Sequence, residues 1–259
     1  MNILKVDPKD TGKFSDKDEA REATTDLEKK LYDLLYLMFA ESKRSLLIIL
    51  HGIDTSGKDG VVRHLFSAAN PQGLRLYSFK KPSDEELRHD FLWRCHRATP
   101  EAGTTAIFNR SYYEEVTTLQ VHPELLKLQH LPDEVIQDEA LFKKRYQHIN
   151  DFEKTLAQNG MVIVKFLLHI SKGEQKQRLD ERLEDHTKNW KFSKQDLEER
   201  KYWDEYMDVF NKMLKQTGTK HAPWHVIPAD KKWFRNYLVT KTLVDTLSRL
   251  KMRFPRAKT

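Results

Sequence analysis

The 259-residue chain reads as an α/β domain, with a parallel sheet of about five strands flanked by helices. Three observations predict it. Five short runs, at 45–50, 74–79, 104–108, 161–168 and 223–228, have the length and the apolar, aromatic or β-branched content of strands. Between most of them lie longer stretches with apolar residues at helical spacing, the alternation that builds parallel sheets. The first run, S-L-L-I-I-L, passes straight into a Gly-rich turn and then a helical stretch.

That turn is the centre of the chain. Residues 51–60 read H-G-I-D-T-S-G-K-D-G. Gly52 and Gly57 bracket four residues and Lys58 follows, which is the G-x-x-x-x-G-K spacing of a phosphate-binding P-loop. The glycines let backbone N–H groups curl toward one anion. The helix N-terminus adds the positive end of its dipole, and Lys58 supplies a mobile full charge. The Ser or Thr that usually closes the motif is replaced by Asp59, and Asp54 stands inside the loop. Two carboxylates beside a phosphate make sense with a divalent cation between them. Asp54 and Asp59 are therefore the expected ligands of Mg²⁺, with Mn²⁺ as a substitute.

Ahead of the turn, residues 1–24 are expected to form a polar arm. Thr25-x-x-Glu28 reads as a capping box opening a helix with Leu27, Leu31, Leu34, Leu35, Met38 and Phe39 at helical spacing. After the turn, Asn70-Pro71-Gln72-Gly73 stops the P-loop helix. The second strand runs into Lys80-Lys81, at the carboxyl end where parallel sheets bind ligands. Ser83-x-x-Glu86 opens another helix, and Arg94 and Arg97 share one of its faces. The third strand ends in N-R-S-Y-Y-E-E. This puts Asn109 where a P-loop enzyme keeps its second metal-directing group, with Arg110 beside it to hold a phosphate.

A helix is expected over about 133–158, stopped by Gly160. Residues of about 172–195 read as a helical lid. There Leu179 and Leu183 can pack, while Arg178 and Arg182 project from another side toward the phosphates. Ser193-x-x-Asp196 reads as the cap of a long helix ending at Gly218, and a last helix spans about 230–251.

Net charge is +6, which favours polyanionic partners. The single cysteine, Cys95, excludes an internal disulfide and points to a reducing compartment. The N-terminus lacks a signal-peptide core, and no run approaches the roughly 18 apolar residues of a membrane span. A cytoplasmic protein without a membrane partner is expected. Zinc-ligand spacing and an aromatic RNA-binding motif are missing, so nucleic acid is not the expected polyanion.

Six motifs occur in order over about residues 25–250. They are G-I-D-T-S-G-K-D-G, N-P-Q-G with S-F-K-K-P-S, D-F-L-W-R, F-N-R-S-Y-Y-E-E, R-L-E-D-H-T-K-N-W-K-F-S and H-A-P-W-H-V-I-P-A-D-K-K-W-F-R-N. Together they resemble the polyphosphate kinase 2 family, most nearly its class III branch. The resemblance implies a three-layer P-loop kinase-like fold similar to thymidylate kinase, as a single domain over 25–259. It implies reversible, Mg²⁺-dependent phosphoryl transfer between inorganic polyphosphate and nucleoside mono- and diphosphates. These are AMP, ADP and their guanine equivalents, with ATP formed from ADP.

The resemblance also implies roles for residues. Gly57, Lys58, Asp59 and Gly60 form the phosphate and metal cradle, joined by Thr55 and Ser56. Asp54 positions the metal or activates the acceptor phosphate. Lys80, Asn109 and Arg110 line the path of the transferring group, and Arg178 and Arg182 are the lid arginines. Arg94, Tyr113 and Glu114 are further phosphate or nucleotide contacts. A homodimer or homotetramer is expected. Two other readings stay open: an ATP-dependent nucleotide or small-molecule kinase on the same fold, and a non-enzymatic nucleic-acid binder.

Overall fold

The computed structural model describes residues 2–187, 189–191 and 194–256. Its centre is a five-stranded sheet of β1 (Ser45–His51), β2 (Leu74–Ser78), β3 (Thr105–Asn109), β4 (Met161–His169) and β5 (Trp224–Pro228). The order is β2-β3-β1-β4-β5, and every pairing is parallel. The longer helices are α1 (Lys17–Glu41), α2 (Lys58–Ser67), α3 (Leu141–Gln158), α4 (Lys172–Glu184), α5 (Trp203–Thr217) and α6 (Lys232–Ser248). Short helical turns, among them Asp84–Leu87, Trp93–His96 and Tyr112–Val116, fill the connections.

Both faces of the sheet are covered, which is why β1 is buried along its whole length. On one face Leu46 and Ile48 meet Leu31, Leu65 and Leu243 of α1, α2 and α6. Alternation turns Leu47 and Ile49 to the other face. There α3 packs on β4, and α5 packs on α3. The sandwich of helix, sheet and helix is the expected three-layer arrangement. The chain leaves β1 for β2 on one side and later builds β4 and β5 on the other. The carboxyl end of β1 is thus a topological switch point, where such sheets bind ligands.

A polar network pins the second helical layer to the sheet. Lys165 of β4 is fully buried, and its Nζ donates to Glu153 Oε2 and the Tyr113 hydroxyl, both at 2.7 Å, and to the Thr217 carbonyl at 2.8 Å. The hydroxyls of Tyr112 and Tyr113 donate to Glu153 Oε1 at 2.9 and 2.8 Å. Burial lowers the Lys165 pKa, while Glu153 opposes the shift.

Several expected boundaries move. The first helix begins at Lys17, because the Asp16 carboxylate accepts the N–H groups of Asp18 and Glu19. Thr25 lies inside it, with its hydroxyl on the Arg21 carbonyl, so the Thr25–Glu28 pair caps nothing. The expected arm over 1–24 is therefore shorter, and it is anchored. Ile3 and Phe14 are buried, Phe14 stacking edge-on to Tyr237 of α6. The helix expected over 133–158 is interrupted between Ile136 and Leu141, where the Asp138 side chain takes the Ala140 N–H. The long helix expected from 193 to 218 is a turn at Lys194–Glu199, a 3₁₀ turn at Arg200–Tyr202 and then α5. Its expected cap residue, Ser193, lies outside the described residues.

Candidate active site

The P-loop joins β1 to α2. Its backbone turns through φ values of 138° at Gly52, 64° at Thr55 and 99° at Gly57. A Cβ on Gly52 would stand 2.7 Å from the Leu168 carbonyl, so no larger residue fits there. The first intrahelical bonds run from the N–H groups of Gly60 and Val61 to the Gly57 carbonyl. The Ser56 N–H is taken by the Ile53 carbonyl, while the N–H groups of Gly57, Lys58 and Asp59 precede the first intrahelical bond, the place where a helix N-terminus binds an anion. The hydroxyls of Thr55 and Ser56 are buried without a hydrogen-bond partner among the described residues.

Lys58 is buried, and its Nζ donates to the carbonyls of Gly52 at 2.7 Å and Ile53 at 3.2 Å. Burial lowers its pKa and Arg110 lowers it further, while Asp54 opposes the shift. Asp54 accepts from Arg110 Nη2 at 2.7 Å. Burial on its own would raise the Asp54 carboxyl, but Lys58, Arg110 and Arg182 bring it below the usual carboxylate value. It is an anion at neutral pH. Asp59 opens α2 and accepts from Asn109 Nδ2 at 3.0 Å. Sheet register sets this contact, since Asn109 pairs with Leu50 on one side and Ser78 on the other. Arg110 follows in a left-handed conformation, φ 66°, its N–H on the Leu50 carbonyl.

Gly52, Asp54 and Arg110 border a cavity of about 650 Å³, with Lys80 and Lys81 also in its wall. Its floor holds His51 and Glu114. Burial pushes the His51 pKa down to about 4, so the imidazole is neutral at pH 7. Burial would raise the Glu114 pKa, yet the net shift is downward. With His51 neutral, the Glu114 anion rests on Arg110 and on the Thr118 hydroxyl at 2.6 Å. Across the cavity Arg182 of α4 pairs with Asp196 at 3.3 Å.

Residues 14–255 match the family described as Polyphosphate kinase 2 (PPK2). The chain belongs to that family. It is 43% identical over 251 residues to the "ADP-polyphosphate phosphotransferase" of Rhodopseudomonas palustris, covering 97% of this chain and 86% of the relative. It is 44% identical over 260 residues to the "AMP/ADP-polyphosphate phosphotransferase" of Meiothermus ruber, covering 100% and 93%. The crystal structure of polyphosphate kinase 2 from Arthrobacter aurescens superposes with a TM-score of 0.92 at 41% identity, covering 100% of this chain and 89% of that one.

Within this polyphosphate kinase 2 fold, most residues singled out from sequence converge. Asp54, Lys58, Asp59, Lys80, Asn109, Arg110, Glu114 and Arg182 lie at one rim, linked by the contacts above. Arg94 stands at the cavity wall. Its guanidinium donates to the Lys80 carbonyl at 2.9 Å and lies 5.4 Å over the Phe79 ring, so it braces the lysine turn. Arg97 does not join it, and lies over the Trp93 ring instead.

Two placements correct the expectation. Tyr113 is fully buried, with its hydroxyl in the Lys165–Glu153 network, so it offers nothing to the cavity. Arg178 does not project from the lid. Its Nε donates to Glu174 at 2.7 Å, Nη1 to the Thr55 carbonyl at 3.0 Å, and Nη2 to the carbonyls of Ala229 at 2.6 Å and Asp230 at 3.0 Å. It ties the P-loop to α4 and to the end of β5. Gln175 assists by donating to the Asp54 carbonyl at 3.3 Å.

Sequence reasoning assigned nothing to Arg235, which is buried against Gly57 and Gly60. Its W-F-R-N motif at the start of α6 was the available signal, but α6 lies far along the chain from the P-loop.

Proposed function

We propose that this chain transfers a phosphoryl group between inorganic polyphosphate and AMP or ADP. The observation that carries this is one cavity at the carboxyl ends of β1 and β2, with Lys58, Lys80, Arg110 and Arg182 gathered around a P-loop. The names of its 43% and 44% identical relatives support polyphosphate as donor.

An acceptor phosphate oxygen attacks the terminal phosphorus of the donor chain. The new P–O bond joins that phosphorus to the acceptor, and the bond to the bridging oxygen breaks, leaving the donor one phosphate shorter. Both partners are anions, so catalysis is charge neutralisation and alignment. The loop N–H groups and Lys58 hold the donor end. Arg110 and Lys80 hold the acceptor phosphate. Asp54, anionic and paired with Arg110, orients that guanidinium; its lowered pKa makes it a poor base, and an acceptor phosphate needs none.

No group of three or more His, Cys, Asp or Glu able to hold a metal occurs among the described residues. Asp54 and Asp59 alone suit Mg²⁺ or Mn²⁺, which are held by one or two carboxylates with substrate phosphates and water. Such an ion neutralises charge on the phosphates. Guanine nucleotides are included as acceptors. A homodimer or homotetramer, to be measured by light scattering, is supported by the exposed aromatics Tyr32, Tyr36 and Phe254.

The test is a matrix of polyphosphate or ATP as donor against AMP, ADP, GMP and GDP, with and without Mg²⁺. ATP formed from ADP and polyphosphate is expected, and Lys58→Ala should lower the rate by about a hundred-fold or more while leaving the fold intact. Transfer from ATP alone, with folded protein indifferent to polyphosphate, would overturn the reading.

A further inference from the structure

A buried guanidinium lies directly against the P-loop, and among the described residues no carboxylate balances it. Arg235, in the first turn of α6, is only 3% exposed. Its Nη1 lies 2.1 Å from where a Cβ on Gly57 would sit, and its Nη2 2.9 Å from where one on Gly60 would sit. Both glycines open α2, so the guanidinium covers the flank of that helix's first turn. Its recorded hydrogen bonds run from Nε and Nη2 to the neighbouring Asn236 Oδ1, at 3.1 and 2.8 Å. Among the described residues no carboxylate pairs with it. Burial, with the like charges of Arg178 and Arg63, pushes its pKa down to about 10. Arg178 has four acceptors of its own; Arg235 has one amide oxygen.

An uncompensated buried charge destabilises a fold. It persists where function needs it. The same turn holds the orphan Ser56 hydroxyl, fully buried, and the N–H groups of Gly57, Lys58 and Asp59 ahead of the first intrahelical bond. One anion seated in the P-loop would serve all three donors. Gly60 fits this account, since its φ is not positive and the space for its missing side chain is filled by Arg235.

We propose that Arg235 is a positioning residue for the donor: it holds the first turn of α2 against its own guanidinium, and its charge is balanced only when a donor phosphate occupies the P-loop. This rests on the reading of that loop as the donor cradle. Arg235 therefore favours a donor dense in charge, and acts on donor binding more than on the acceptor.

The test compares wild type, Arg235→Met and Arg235→Lys, using inorganic tripolyphosphate and long-chain polyphosphate as probes. Kinetic constants and the thermal shift on adding each probe are both measured, since a ligand of the native state raises Tm. In Arg235→Met the KM for polyphosphate should rise about ten- to a hundred-fold with the KM for ADP little changed. The polyphosphate-induced Tm shift should shrink, while Tm without ligand stays equal or rises. Arg235→Lys should recover most of the donor affinity. A wild-type-like donor KM and Tm shift in Arg235→Met would overturn the inference. So would a loss of folding, or a fall in ligand-free Tm with both KM values and kcat moving together, which marks a structural brace. Failure of wild type itself to bind either probe would instead overturn the donor reading.

Discussion

At the residue scale, position in the fold separates groups of the same chemistry. Asp54 and Glu153 are both acids paired with cations, yet the half-buried Asp54 lines the cavity and the fully buried Glu153 locks the core. Arg178 and Arg182 are one helical turn apart on α4, but Arg178 is spent on the P-loop carbonyl of Thr55 while Arg182 pairs with Asp196 of the cavity wall. His51 has a measurable consequence. Its pKa of about 4 lies below the ordinary 6.5 because burial disfavours the charged ring. Below pH 6.5 the unfolded chain takes up a proton that the folded chain refuses. The stabilising contribution is complete above that pH and shrinks as pH falls from 6.5 toward 4, by about 3 kcal/mol in all. Thermal melts should therefore lose Tm between pH 7.5 and pH 5, and His51→Asn should flatten the slope. His64, also lowered to about 4, leaves part of it in place. An unchanged slope in the variant would exclude His51 as a source.

At the element scale, the strands were legible and the helix ends were not. All five strands fall within a residue or two of the expected runs; in β1, β3 and β4 burial on both faces leaves continuous apolar stretches, while the largely exposed edge strand β2 was marked by the Asn70–Gly73 turn before it. Capping residues misled where several competed. Asp16 opens α1 ahead of Thr25 because it sits before a run with good helix propensity and has two N–H groups to cap. The pairing of α3 with β4 depends on Lys165 and Glu153, 2.7 Å apart and fully buried. Lys165→Ala should lower stability by about 3–5 kcal/mol by leaving the Glu153 carboxylate unbalanced. Replacing both, as Lys165→Met with Glu153→Leu, should recover much of the loss. Denaturant melts of the single and double variants check this, and a double variant no better than the single one refutes it.

At the scale of the whole molecule, the net charge of +6 is not spread evenly in effect. Lys58, Lys80, Arg110 and Arg182 meet at one rim because three strand ends and one helix converge there. Binding of a polyanion at such a rim releases counterions, so it weakens steeply with salt. Raising KCl from about 50 to about 200 mM should raise the KM for long-chain polyphosphate by tenfold or more and change that for ADP less. Equal changes for both would contradict a cationic path for the donor chain. No helix among the described residues is long and apolar enough to cross a membrane.

By itself the sequence determined what is local: the strand runs, the glycine spacing and the Lys of the P-loop, and the acids within it. These depend on neighbours a few residues apart, and their patterns survive in one dimension. Only the tertiary structure decided which charges share a space. It turned Tyr113 inward, set Arg178 to bracing the loop, and laid Arg235 of α6 on Gly57 and Gly60 of the P-loop turn. Contacts between elements more than a hundred residues apart are set by sheet order and helix packing, and a single chain carries no periodicity that encodes them.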